Sequence, residues 1–388
     1  MNAVATRKGW PKLGGGRMPV PLDEYPVHQV PLSMAYVATS DRNAYDRCYV
    51  NAHDRTGELF LVSGLGVYPN LGVTDAFVTV MRGTTQSTLR LSGTLTDDRM
   101  SQRVGPYRIE VVEPLRQIRL VCEPGEHGIG LDLTWTGSFP PVDEPLHVLR
   151  QHNRVILEGC RFAQVGTCEG TVHIDGEDLK LDPATAVGSR DRSWGIRPSG
   201  ESEPPGRSAS EPLDGWGFWW TYVPLRFDDF AILVIAQEDG HGHRSAADAV
   251  RVWPESSGRP PEQLGWADVA VHYASGTRMP VGATITMSKR GAPLTLEIET
   301  LGQVRLNAGP GYSGDPEWAH GHWRGPDFAQ RVNVDLSDPA LAAAATFGVI
   351  DHVAKATCDG SVGFGLFEHA TFGCHEPSGF SGWESVAP

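Results

Sequence analysis

Short runs of β-branched, aliphatic and aromatic residues, closed off every few positions by Gly, Pro or Asp, constrain this chain more than any other feature. The 388 residues include 45 Gly and 29 Pro, spread along the whole length. That punctuation stops a helix before it gains its cooperative turns and suits short strands joined by turns. Segments 58–64, 76–82, 87–95, 107–113, 118–123 and 130–137 read as strands. Thr88-Leu89-Arg90-Leu91-Ser92 alternates polar and apolar, as a half-buried strand does. Segments 169–175 and 177–181 flank Asp175-Gly176, a strong hairpin signal.

Residues 198–214 carry four prolines and no apolar periodicity. Beyond them, segments 215–223, 230–237, 268–273, 282–288, 294–301, 331–335 and 361–371 again read as strands. One short helix is expected over Asp338 to Thr346, with Ser337 as its cap and Pro339 in its first turn. Strands, linker, strands predicts an all-β protein of two consecutive β-barrel or sandwich halves. The expected division is an extended arm over 1–30, a first half over 31–200, a linker or loop over 201–213 and a second half over 214–388.

Charge and cysteine usage narrow the partners. A net charge of -14 repels phosphate backbones, so no nucleic acid is expected. No apolar run approaches the roughly 18 residues a spanning helix needs, so no stable membrane insertion is expected. The first residues, MNAVATRKGWPKLGGG, hold no apolar stretch behind their charges and do not read as a signal peptide, which points to a cytoplasmic protein. Cys48, Cys122, Cys160, Cys168, Cys358 and Cys374 form no Cys-x-x-Cys pair and read as buried free thiols. No Gly-rich phosphate loop joins a strand to a helix, so neither a nucleotide nor a redox cofactor is implied.

Four blocks concentrate reactive residues. Gly188-Ser189-Arg190-Asp191-Arg192-Ser193-Trp194-Gly195-Ile196-Arg197-Pro198 is either an ion-pair network pinning a loop, covered by Trp194, or a polar cluster at a barrel mouth. If Arg190 and Arg192 lie near Asp191, they keep it ionised, an orienter of arginines rather than a proton donor. In Trp216-Gly217-Phe218-Trp219-Trp220-Thr221-Tyr222, a strand would put Trp216, Phe218, Trp220 and Tyr222 on one face and Trp219 on the other. That block is an aromatic core or the wall of a pocket whose ring faces stabilise a passing carbocation. In Trp318-Ala319-His320-Gly321-His322-Trp323, the two histidines share a face if the segment is extended. Glu368, His369 and His375, from the Gly363–Pro377 block, could join them, as a metal set or as hydrogen-bonded structural histidines. Glu368 stands among Phe364, Leu366, Phe367 and Phe372, where a carboxyl must be paired, for instance with Arg324, or protonated and functional.

The segment 188–197 resembles the Arg-Asp-His-Ser-Trp-Gly-x-Arg signature of the lipocalin-like superfamily, which contains carotenoid hydratases, AttH-like proteins, and related cyclases and Diels–Alderases. The aromatic strand after it and the segment 363–369 are similar to an actinobacterial-type branch. The resemblance covers roughly residues 50–380 and implies two tandem lipocalin-like barrels with a site for a terpenoid, steroid or polyketide-like molecule. Where the signature has His this chain has Arg192; Trp194 is retained.

The reading is therefore an enzyme that hydrates, isomerises or cyclises a small apolar molecule by acid assistance. Asp191, Glu368 and His369 are the catalytic candidates, with Glu368 the better acid. Arg192, Trp194, Trp216, Trp219, Tyr222, His320, His322 and His375 are the substrate-binding candidates. A non-catalytic carrier of an apolar ligand and a His-based metal-dependent enzyme are the alternatives, and a homodimer is allowed.

Overall fold

A computed structural model of the chain describes residues 19–151, 153–200, 216–288, 292–312, 315, 317–338 and 348–388. The expected linker over 201–213, the first 18 residues of the expected arm and all but Asp338 of the expected helix lie outside the described residues. What is described is all-β: strands and short 3-10 turns, with no α-helix among the described residues. Two curled antiparallel sheets form two half-barrels, of fourteen and ten strands among the described residues.

The expected strands are present, and several match closely. Tyr107–Glu113 and Glu177–Leu181 fall where the residue pattern puts them. The Asp175-Gly176 hairpin is formed, with φ 52° and 84° at its two turn residues, the double left-handed geometry that Asp-Gly favours. Further strands were hidden in less regular stretches: Ala44–His53, Arg244–Val252 and Ile350–Cys358. The Arg/Asp/Trp block is a strand, Val187–Ile196, and not a pinned loop. It sits mid-sheet between Ala44–His53 and the long Arg154–Ile174.

Chain order and sheet membership part company at Asp327–Asp335. This strand comes late in the sequence but pairs with Thr85–Thr94 at the edge of the first sheet. Arg331 on it bonds both oxygens of Asp175, at 2.5 and 2.8 Å. The second sheet holds the strands between Gly217 and Arg305 and those after Ile350.

Among the described residues three large apolar cores and one small cluster of Tyr45, Tyr68 and Val73 result. Cys48, Val50, Leu61 and Trp135 lie inside the first half-barrel. Val223, Leu225, Ile285 and Phe367 lie inside the second. A third core is shared between the sheets and joins Tyr49, Phe60, Val62 and Phe77 to Tyr222, Ile235, Val353 and Leu366. Strands with both faces buried carry near-continuous apolar runs: in Leu59–Tyr68, Leu61 and Leu65 enter the first core while Phe60 and Val62 enter the shared one. Ala267–Tyr273, with one face in solvent, alternates instead.

All six cysteines are free thiols, as their spacing suggested, but Cys160 is exposed and not buried. No helix of the described residues is long and apolar enough to cross a membrane.

The shared core is expected to make the two halves unfold as one unit. Leu366 is 0% exposed within it. Leu366→Ala is expected to cost about 2–5 kcal/mol, the usual range for emptying a buried leucine site. Urea melts followed by circular dichroism and by tryptophan fluorescence should shift together; a first half that melts unshifted would rule out the single unit.

Candidate functional site

The shared core is interrupted at one end by a cavity of about 250 Å³. Its walls follow from strand alternation. Along Ala44–His53 the odd positions Tyr45, Arg47 and Tyr49 face the cavity, while Cys48, Val50 and Ala52 face the first core. Along Val187–Ile196 the cavity residues are Asp191 and Ser193. From the second sheet come Phe218, Trp220, Ile235 and Glu368. Arg161 and Glu144 close one side, and Tyr312 with Arg197 another.

An acid pair stands at the junction of the sheets. Asp351 and Glu368 are cross-strand partners on Ile350–Cys358 and Ser361–His375. Asp351 is 0% exposed and accepts a hydrogen bond from the Tyr49 hydroxyl at 2.5 Å. Burial holds its carboxyl well above the usual range, and the neighbouring Glu368 and Asp191 charges add to this, against the Tyr49 bond. Asp351 therefore keeps its proton. Glu368 faces the cavity and accepts from the Trp220 indole N–H.

Positive charge lines the same chamber. Arg161 bonds Glu144 at 2.5 Å and lies over the Tyr222 and Trp220 rings, at 4.6 and 5.4 Å. Burial pushes Glu144 up to about 7 despite that pairing. Arg47 donates to His320 Nε2 at 2.9 Å and stacks on Tyr312.

Asp191 corrects the sequence-based expectation. Arg190 and Arg192 do not flank it in space, because alternation sends them to the opposite face. Arg190 bonds the Gln164 side chain, and Arg192 bonds Gln102 and pairs with Asp46. Asp191 makes no hydrogen bond among the described residues. Its carboxyl is pushed up to about 6 by burial, which outweighs Arg161, Arg47 and Arg197 nearby.

The other candidates divide between this chamber and places away from it. Tyr222 lies beneath Arg161, with its hydroxyl buried and without a hydrogen-bond partner among the described residues. Arg192 and Trp194 lie on the face turned away from the cavity, the side of Cys48, where Arg192 pairs with Asp46 and Trp194 is 41% exposed. Trp216 precedes its strand and stacks on Trp383. Trp219, His369 and His375 form a separate cluster on the far face of the second sheet. There Trp219 stacks on His375, His369 Nε2 meets the Tyr273 hydroxyl at 2.9 Å, and His375 bonds Glu238. His369 is thus on the opposite side of its strand from Glu368, and burial pushes it down to about 3.

The histidine block is not extended. His322 N donates to Ala319 O in a turn, and Gly321 takes φ 78° where a Cβ would press on the Tyr68 ring. His320 is buried behind Arg47 and held neutral, pushed down to about 3. His322 lies apart, its carbonyl accepting from Ser92. The donor set suggested by His320, His322, Glu368, His369 and His375 is therefore dispersed. The Arg324 partner suggested for Glu368 is not at the acid pair; Arg324 lies over Phe328.

Sequence reasoning missed Asp351, Tyr49, Glu144, Arg161 and Arg47. One signal was available for Asp351: it is a lone acid in Gly348-Val349-Ile350-Asp351-His352-Val353-Ala354. The arginines carried none, since only the sheet register brings them together.

Asp191 yields a pH prediction. A carboxyl raised in the folded state opposes folding once the unfolded chain ionises. The penalty is absent below about pH 4, grows as pH rises to about 6 and is constant above. Asp191→Asn should therefore stabilise the protein by about 1–3 kcal/mol at pH 8 and by nothing at pH 4. Denaturant midpoints of both proteins at the two pH values check this; an equal gain at both would refute it.

No curated protein matches the chain in sequence. Among solved structures, the AttH candidate of Nitrosomonas europaea aligns with a TM-score of 0.52 at 14% identity, covering 91% of this chain and 99% of that one. The likeness shows a shared fold, the one the segment 188–197 implied. CghA, solved alone and with Sch210972, aligns with TM-scores of 0.46 and 0.47 at 11% identity, over 85% of this chain and 88% of that one. Residues 20–381 match the model of a family of unknown function, DUF8625, and the chain belongs to that family.

Proposed function

We propose that the protein is an enzyme that binds a small hydrophobic molecule, terpenoid, steroid or polyketide-like, in the inter-sheet cavity. It would hydrate, isomerise or cyclise that molecule by protonating it. The observation that carries the proposal is the acid pair: a carboxyl on the wall of an aromatic-lined chamber, with a second, protonated carboxyl buried directly behind it.

The chemistry follows from the arrangement. The proton held by Asp351 passes across its hydrogen bond to Glu368, which delivers it to a substrate alkene or carbonyl. Carbon protonation leaves a cation, which the faces of Trp220, Phe218 and Tyr45 stabilise. The cation then takes up water and loses a proton, or loses a neighbouring proton, or is attacked by a second double bond and then loses one. In each case the proton returns to the carboxylate pair, so no redox cofactor is required. The cavity lies just below the roughly 300–1,000 Å³ usual for drug-sized ligands, which favours the smaller members of these classes.

Deuterium incorporation reports this chemistry for any substrate that is protonated on carbon. In heavy water, turnover of a panel of unsaturated ten- to fifteen-carbon terpenoids should place deuterium on carbon, read by mass spectrometry. Glu368→Gln keeps the shape and removes the acid; it should lower incorporation by about 10²–10⁴-fold. Unchanged turnover in a folded Glu368→Gln protein would exclude Glu368 as the acid. Binding of panel members without incorporation in the wild type would favour a carrier.

A further inference from the structure

Two arginines in the cavity wall lack the carboxylate partner that a buried guanidinium normally has. Arg47 is 5% exposed and lines the cavity. Its one side-chain hydrogen bond among the described residues goes to His320, and its Nε is buried without a partner. His320 is neutral, so it accepts from Arg47 without balancing the charge. Arg197 also lines the cavity, and its guanidinium lies 5.6 Å from the Tyr45 ring centroid. Its side chain makes no hydrogen bond or ion pair among the described residues.

The charges around the chamber do not cancel at this end. Arg161 is matched by Glu144. Glu368 and Asp351 serve each other, Trp220 and Tyr49. Arg47 and Arg197 are left with Asp191 as the nearest chamber carboxylate, and Asp191 bonds neither. Asp75, outside the chamber, acts on Arg47 more strongly than Asp191 does but does not bond it; its Oδ2 accepts from Gly321 N at 2.7 Å and sits 3.7 Å from His320. No carboxylate bonds either guanidinium directly, so a ligand oxyanion placed between them gains charge-assisted hydrogen bonds that the protein itself does not make.

We infer that Arg47 and Arg197 form an anion subsite, and that the molecule bound in the cavity carries a carboxylate on its apolar body. This rests on the cavity reading above and specifies its substrate class. The carboxylate is held between the Arg47 and Arg197 guanidinium forks, and the apolar body runs along Tyr45, Phe218 and Trp220 toward Glu368. Such anchoring fixes which carbon meets the acid, a positioning role distinct from the proton transfer itself.

Decanoate and decanol, equal in chain length and different in charge, test the subsite at pH 8 by titration calorimetry. The wild type should bind decanoate at least about 10-fold more tightly, the effect of one or two charge-assisted hydrogen bonds. Arg197→Gln, at a partly exposed position, and Arg47→Lys, which keeps the charge but loses the fork, should each bring the ratio toward one while leaving decanol affinity unchanged. Equal affinities in the wild type, no binding of decanoate, or a ratio that survives both substitutions would overturn the inference. Glu368→Gln should keep the carboxylate preference. A retained preference with Glu368-independent turnover therefore sinks the acid mechanism alone, and Glu368-dependent turnover without a preference sinks the subsite alone.

Discussion

The rest of the structure depends on apolar burial between two sheets that each have a core of their own. A strand such as Leu59–Tyr68 cannot satisfy both of its faces inside one half-barrel. Its second face is covered only when Tyr222, Ile235, Val353 and Leu366 of the other sheet close over it. The strand Asp327–Asp335 strengthens the union by joining the first sheet from late in the chain. Each buried aliphatic or aromatic side chain contributes about 1.5–3 kcal/mol, so the shared core is large enough to hold a few unfavourable groups in place.

Those groups are gathered at one end of it. Asp351, Asp191 and Glu144 are all raised by burial, and Arg47 keeps an unpartnered nitrogen. A chain selected for stability alone would fill such positions with apolar residues, often without loss. Their concentration around one cavity, on strands from both sheets, is what a site for chemistry or recognition looks like. The buried histidines on the far face of the second sheet differ: His369 and His375 have hydroxyl or carboxylate partners and no comparable cavity.

The likeness to AttH extends over nearly the whole of both chains at very low identity, so it speaks for architecture. Function has to be argued from side chains, because a fold of this kind can present any chemistry on its inner strands. In this chain the retained Trp194 of the family-like segment is exposed, whereas the Asp191 of the same segment faces the chamber. The segment thus serves the fold at its even positions and the cavity at its odd ones.

By itself the sequence determined the class and much of the layout. Gly, Pro and Asp placed the turns, and β-branched runs between them could only become strands, so Tyr107–Glu113 and the Asp175-Gly176 hairpin were legible locally. Glu368 was legible too, because a carboxyl in an aromatic strand is costly wherever that strand goes. Only the tertiary structure decided the rest. Which face of a strand meets the cavity is a matter of register across sheets, so Asp191 lost its sequence neighbours as partners and Glu368 parted from His369. Asp351 met Glu368 through antiparallel pairing, and Tyr49 reached Asp351 across 302 positions of chain. Local pattern carries the propensity of a segment, but the partner that raises a carboxyl or leaves an arginine uncompensated arrives from another strand, and no spacing along the chain encodes it.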